Sequence, residues 1–273
     1  MTGEAEHPLE TWGSGDDASQ AARRGEVVLR TAGPWSATVL ALLAHLESVG
    51  FTGAPRVVGE GFDPDGREML TYVPGTSAHP HGWSDDALTA IGELLRQAHA
   101  AAATFTPPAQ ATWKPWFGRE LPGTHPVIGH GDVAPWNLLS DARGPHALID
   151  WEFAGPVDAT WELAQAAWLN AQLHDDDIAE QQDLPPAVNR AAQVRLLLDG
   201  YGLPTGERVG FVDKMIETAI HSARAEAREH AVTPDTTRAV SATGYPVLWA
   251  ITWRTRSASW MLRNRPLLEH ALA

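Results

Sequence analysis

The chain of 273 residues contains no cysteine. Without it there is no disulfide scaffold, thiolate nucleophile, zinc–thiolate site or iron–sulfur ligand, so any chemistry must come from carboxylates, amides, imidazoles and hydroxyls. Lysine is almost as scarce: Lys114 and Lys214 are the only two, and the first 75 residues have none, so positive charge is carried by arginine. Also missing are a basic start followed by an apolar run and any window of about eighteen continuous apolar residues, so neither a signal peptide nor a membrane span is expected. A soluble cytoplasmic protein is the expectation. Basic residues are in deficit overall, 20 against 34 acidic, for a formal charge of −14. That balance opposes non-specific attraction to nucleic acid or anionic lipid, and it favours a cationic small molecule if the charge lines a cleft. Nucleic acid and membrane are therefore not expected partners.

What is present is enough for a substantial core, since 44 % of the residues are hydrophobic and 12 are tryptophan. The length allows one large domain or two that share an interface. Residues 1–25 are polar, and Glu10–Ala18 combines glycine, serine and aspartate in the manner of a turn or loop. Glu26–Arg30 reads as a short strand, and Ala37–Val49 as a helix with Val39, Leu42, Leu43 and Leu46 in helical spacing and Gly50 as its stop. Arg56–Glu60 and Glu68–Val73 flank the turn Asp63-Pro64-Asp65-Gly66 and predict a hairpin. Residues 1–75 thus form an expected small lobe, and 76–273 a larger one. In the latter, Asp85–Ala103 predicts a helix capped by Ser84. Helices are also predicted over 159–173, 186–198, 207–229 and 246–263, with Trp249, Trp253 and Trp260 on one face of the last. The proline-rich stretch 104–128 reads as a packed irregular connection.

The chemical centre lies between Ile128 and Phe153. His130-Gly131-Asp132 is followed by Asn137 across a loop stiffened by Pro135 and Trp136, and Asp150 ends the apolar run 146–149. Phosphoryl transfer requires a carboxylate that positions the acceptor hydroxyl and hard oxygen ligands for magnesium on the donor phosphates, which a loop Asp, a nearby Asn and a strand-end Asp can supply. Each residue alone would read as a turn residue or a helix cap; their combination and spacing carry the signal.

His130-Gly131-Asp132 with Asn137, followed by Leu148-Ile149-Asp150-Trp151-Glu152, closely resembles the motifs of the aminoglycoside phosphotransferase and choline kinase superfamily, relatives of protein kinases. Val28–Gly75 resembles the small lobe of its bacterial members, so the resemblance covers roughly residues 26–175. It implies an α+β bilobal protein-kinase-like fold, with a small antiparallel-sheet lobe and a larger, mostly helical lobe. It also implies an ATP- and Mg2+-dependent O-phosphotransferase, with GTP as an open alternative donor. By resemblance, Asp132 is the hydroxyl-positioning residue or base, His130 supports its loop, and Asn137 and Asp150 are the magnesium ligands. Leu70, Thr71, Tyr72 and Val73 form the hinge whose backbone binds adenine. Asp158 follows the metal motif and reads as a cap for the next helix, and Glu152 as a supporting residue. Glu10–Ala18, or the region ending at Gly25, covers the phosphates.

The sequence departs from the family at one point. The resemblance places at Arg30 a lysine that contacts the donor phosphates, and arginine keeps the charge while changing reach and fork geometry. Direct phosphate contact is the reading taken, with a carboxylate pair or reduced activity as alternatives. The acidic helix partner is unassigned, because Ala37–Leu46 has no Asp or Glu. Acceptor residues are expected beyond Trp161, where Asp175, Asp176, Asp177, Glu180 and Asp183 put five acids in nine residues close to Trp168. These suit a hydroxylated and cationic small molecule such as an aminoglycoside or an amino alcohol, or else form a solvated acidic loop. The alternatives are a noncatalytic kinase-like ligand-binding protein, or a kinase for an amino alcohol, sugar or nucleoside, and oligomeric state is not readable.

Overall fold

The computed structural model describes residues 10–12, 21–241 and 244–273. The expected phosphate-covering segment Glu10–Ala18, including Gly13-Ser14-Gly15, lies mostly outside them. A five-stranded antiparallel sheet forms the smaller lobe, from β1 (Glu10–Trp12), β2 (Ala21–Arg24), β3 (Val27–Arg30), β4 (Val57–Phe62) and β5 (Glu68–Thr71), in the order β1-β2-β3-β5-β4. Its turns are those the residue types allow: Gly25 takes φ 61 between β2 and β3, and Asp63 Oδ1 accepts from the Asp65 and Arg67 N–H groups to close the β4–β5 turn. Register then sets the chemistry of the faces. Val28 opposes Leu70 and Arg30 opposes Glu68, so two apolar and two charged side chains share one side of the sheet. Between β3 and β4 runs α1 (Ser36–Ser48), which buries Val39, Leu42, Leu43 and Leu46 as their spacing predicts.

The larger lobe begins with α2 (Asp85–Ala102), where the Ser84 hydroxyl accepts from the Ala87 N–H, as expected of an N-cap. Two short antiparallel pairs carry the central motifs: β6 (Pro126–Gly129) pairs with β9 (Gly155–Asp158), and β7 (Leu138–Asp141) with β8 (Gly144–Leu148). Then come α3 (Ala159–Asn170), α4 (Asp176–Gln181), α5 (Ala187–Tyr201), α6 (Phe211–Glu229), α7 (Val247–Arg263) and α8 (Arg265–Leu272). The bilobal α+β architecture is the one the motifs implied. The apolar pattern does not reveal α4 or α8, because both are too short to show a helical period and half of α4 is acidic. No helix among the described residues is long and apolar enough to cross a membrane.

Tryptophan serves mainly as core volume: Trp151, Trp168 and Trp260 are fully buried. The α7 face expected to pack as a unit is graded instead, with Trp260 buried, Trp253 partly so, and Trp249 47 % exposed. The tightest helix contact is α2 on α5, made possible by two glycines. A Cβ on Gly92 would stand 2.1 Å from the Leu197 carbonyl oxygen, and one on Gly200 would stand 2.0 Å from that of Thr89. Both obstacles are backbone, which cannot rotate away. Gly92→Ala is therefore expected to destabilise the fold by about 1–3 kcal/mol through overpacking, read as a lower urea midpoint; an unchanged midpoint would show that the helices separate freely.

Candidate functional site

The strand-end geometry brings His130, Asp132, Asn137 and Asp150 together. β6 delivers the His130 loop and β8 delivers Asp150 beside it, while the chain turns through Gly131 at φ 85, where a Cβ would meet the Phe153 carbonyl oxygen at 2.2 Å. His130 accepts at Nδ1 from the Asp132 N–H (3.2 Å), so its proton sits on Nε2, which donates to the Ile149 carbonyl (2.9 Å). One neutral imidazole thus clamps the loop before Asp132 to the residue before Asp150. Burial pushes the His130 pKa down, which keeps this tautomer in place.

Asn137 Nδ2 donates to the Asp132 carboxylate (2.8 Å) and to its backbone carbonyl (3.0 Å). Its Oδ1, a hard oxygen, is left without a hydrogen bond among the described residues. Burial first, and the nearby Asp150 charge second, push the Asp132 carboxyl up to about 7, against hydrogen bonds from Trp136 and Asn137 and the charge of Arg254. Asp150 itself occupies the left-handed region, φ 64 and ψ 59, which is uncommon for a residue with a side chain and turns its carboxylate toward the cleft.

Facing these groups from the sheet is Arg30, whose Nη2 lies 2.5 Å from Asp150 Oδ1 and 4.0 Å from Glu152 Oε2. Burial opposes the Arg30 charge, but Asp150, Glu68 and Glu152 together hold its pKa above the ordinary value. Arg30 is thus paired with carboxylates in this structure. Glu68 is 5 % exposed and hydrogen-bonded to Ser36 at the start of α1; burial pushes its pKa up. The helix contributes a hydroxyl here rather than an acid. At the hinge, the Thr71 and Tyr72 N–H groups already donate to the Arg56 and Glu26 carbonyls at 2.8 Å each, and Leu70 is buried in the core. Within Leu70–Val73 only the Val73 N–H is uncommitted to a backbone partner, which narrows the expected adenine contact to one donor.

Several residues at the site are invisible to the spacing of its motifs. Glu162 on α3 is fully buried; its Oε1 accepts from the Gly131 N–H and its Oε2 meets His99 Nε2, both at 2.5 Å, while His99 Nδ1 contacts the Tyr201 hydroxyl at 2.9 Å. Asn170 adds a second tie, donating to the Val133 carbonyl at 2.8 Å. Lys114, from the irregular connection, places Nζ 2.7 Å from Glu152 Oε1 and 4.1 Å from the Phe153 ring centroid. The scarcity of lysine was the one signal pointing to it. Asp158 caps α3 by accepting from Thr160 N (2.9 Å) and also takes the His125 N–H (2.7 Å), which is the structural reading of that residue.

The expected acceptor residues are placed differently. Asp175 pairs with Arg256 (3.0 Å) and Arg263 (2.6 Å), Asp176 accepts from the Trp260 indole (2.7 Å), and Asp177 pairs with Arg256. Two arginines of α7 thus offset part of their charge and join α4 to it, while Asp176 and Asp177 stay exposed to solvent. Trp168 is likewise withdrawn: it is 1 % exposed and stacks on Trp253 with centroids 5.5 Å apart. Among the described residues no three His, Asp or Glu side chains converge as a metal cluster.

The bilobal fold is the kinase-like one seen in solved aminoglycoside phosphotransferase and choline kinase structures. Solved structures at the level of fold alone include a microcompartment-associated aminopropanol kinase (15 % identity, TM-score 0.62, 97 % of this chain and 94 % of that one). A choline/ethanolamine kinase family protein from Mesorhizobium loti matches similarly (16 % identity, TM-score 0.59, 97 % and 92 %). The Phosphotransferase enzyme family profile matches residues 109–202, the stretch that holds the central motifs. A curated relative narrows the assignment: the chain is 54 % identical over 260 residues to the trifolitoxin immunity protein of Rhizobium leguminosarum bv. trifolii, covering 95 % of this chain and 97 % of the relative. The chain belongs to that protein's family. The expectation of an aminoglycoside-type enzyme is thereby coarsened to a kinase-like fold, since this relative is named for immunity and not for catalysis.

Two outcomes test the site. Glu162→Ala removes the acceptor of two buried donors and is expected to destabilise the protein by about 3–5 kcal/mol, measured by urea unfolding; a loss under about 1 kcal/mol would mean that Gly131 and His99 find water instead. Asp132 has a folded-state pKa raised above that of the unfolded chain, so its contribution to stability is complete at low pH and is lost as pH rises through about 7. Asp132→Asn should therefore melt increasingly above wild type between pH 4 and pH 8, and a pH-independent difference in Tm would contradict the raised value.

Proposed function

We propose that this protein confers immunity to a toxin, recognising it with a kinase-like scaffold whose inter-lobe cleft binds ATP. The observation that carries this reading is the end-to-end 54 % identity to the trifolitoxin immunity protein. It favours the alternative noted from the motifs, a kinase-like protein that protects by binding its ligand without a chemical step. The pairing of Arg30 with Asp150 at 2.5 Å supports the same reading, because a carboxylate held by arginine is less available to a metal.

A second reading, O-phosphorylation of the toxin or another small hydroxylated molecule, is favoured by the retained Asp132, Asn137 and Asp150. The donor chemistry suits magnesium: Asn137 keeps Oδ1 free, and Asp150 uses one carboxylate oxygen on Arg30, so two hard oxygens remain for a cation that takes its other ligands from phosphate and water. Mg-ATP, when bound, would supply the phosphoryl group and the compensation of its charge. In this reading Asp132 orients the acceptor hydroxyl and takes its proton late, Asn137 keeps Asp132 in place, and Arg30 contacts the donor phosphates from the sheet. A carboxyl poised near neutral pH is suited to accept that proton.

One experiment separates the two. A sensitive host expressing the wild-type chain or Asp132→Asn is exposed to trifolitoxin, and toxin recovered from the culture is weighed by mass spectrometry. Under the binding reading both chains protect and the toxin mass is unchanged. Protection lost in Asp132→Asn, together with a phosphoryl mass gain that depends on the wild-type chain, would replace it with the enzymatic reading. No protection by either chain would reject immunity to this toxin.

A further inference from the structure

Arg30 has no acidic partner on α1, and the acid across the sheet, Glu68, is committed to Ser36. Its present partner is Asp150, whose side chain is 41 % exposed and is also the oxygen ligand that the nucleotide reading directs toward a cation. Asp150 cannot serve both fully, because a carboxylate drawn onto a divalent cation has less negative charge to offer a guanidinium. A second acid is already in place. Glu152 lies 4.0 Å from Arg30 Nη2, and its other oxygen is gripped by Lys114 Nζ at 2.7 Å. Lys114 is in turn held over the Phe153 and Trp35 rings, with its ammonium 4.1 and 5.0 Å from their centroids. All three side chains of the row Arg30, Glu152, Lys114 are no more than about a quarter exposed, so their interactions are only partly screened.

We infer that Glu152, fixed by Lys114, is the carboxylate that orients Arg30, taking the place of the acidic helix residue that kinase-like clefts of this kind would otherwise need. Lys114 is a positioning residue: it holds Glu152 at its Oε1 so that Oε2 faces Arg30, and the guanidinium keeps its direction toward the phosphates when Asp150 is engaged elsewhere. The arrangement uses the two distinct cation geometries well. One guanidinium nitrogen, Arg30 Nη2, faces both Asp150 and Glu152, whereas the point charge of lysine pins one oxygen of Glu152. The inference rests on the nucleotide-binding part of the function proposed above, but the pairing itself does not require it.

The test uses the full chain and the variants Lys114→Met, Lys114→Arg, Glu152→Gln, Arg30→Met and the double Arg30→Met/Lys114→Met. ATP with Mg2+ is the probe, in equilibrium dialysis. Lys114→Met and Glu152→Gln should each weaken binding about tenfold, the worth of one charge-assisted hydrogen bond, and Lys114→Arg, which keeps the charge but not the point-charge geometry, should fall between Lys114→Met and wild type. The double variant should bind no worse than Arg30→Met, since Lys114 acts only through Arg30. Wild-type affinity in Lys114→Met, or a loss that adds to that of Arg30→Met, would overturn the inference. If the wild-type chain binds no ATP, the nucleotide reading fails, and the same variants are compared by thermal unfolding without ligand. Non-additive losses of Tm among Arg30 and Lys114 then sustain the row of charges, and additive losses remove it.

Discussion

Glu162 is a carboxylate with no exposed surface, and much of the site follows from how its charge is satisfied. A buried anion must find donors within reach or become protonated. Here the Gly131 N–H supplies one and His99 the other, with Tyr201 behind His99. Burial works to raise the Glu162 pKa, but His99 and the Gly131 N–H overcome it and hold the pKa below the ordinary carboxylate range. Because Gly131 lies between His130 and Asp132, the same hydrogen bond that neutralises the helix interior also sets the path of the loop. The tie of Asn170 to Val133 and the clamp of His130 on Ile149 then leave the loop little freedom. Asp132 and Asp150 are thereby held close enough to feel each other's charge, and this proximity, with burial, raises the Asp132 pKa.

The opposite wall of the cleft faces a different constraint. Three acids, Asp150, Glu68 and Glu152, surround a single sheet cation, Arg30. Lys114 pins the third of these acids, Glu152, and so fixes how Arg30 is shared among them. Glu68 meets the constraint differently, by turning to the Ser36 hydroxyl in a buried setting where its pKa is raised. The lysine-poor small lobe and the lysine in the connection are thus two parts of one charge arrangement. The immunity protein to which the chain is related does not by its name distinguish holding a toxin from modifying it.

Legibility in the sequence followed the range of the interactions. The helices α1, α2, α3, α5, α6 and α7 and the β4–β5 hairpin were readable because apolar spacing and turn chemistry act over a few residues. Asp132, Asn137 and Asp150 were readable as a group because one loop and one hairpin carry all three. The partners of the acidic run were not, since Arg256 and Arg263 lie about 80 residues beyond Asp175. A run of five acids looks like free charge until the helix whose two arginines pair with its first members is folded against it. The hinge was readable as a segment, but which of its N–H groups remains open depends on strand pairing with residues far away in sequence.

By itself the sequence determined that the chemistry of this protein is that of oxygen and nitrogen groups without sulfur, that its fold is kinase-like, and that a carboxylate, an amide and a second carboxylate share one centre. Each of these is written in residue types and short spacings. Only the tertiary structure decided which acids are compensated, which cation each serves, and that Lys114, 84 positions from Arg30, stands in the same row of charges. Ion pairs have no period along the chain, and their strength depends on distance and burial that exist only once the lobes have closed on one another.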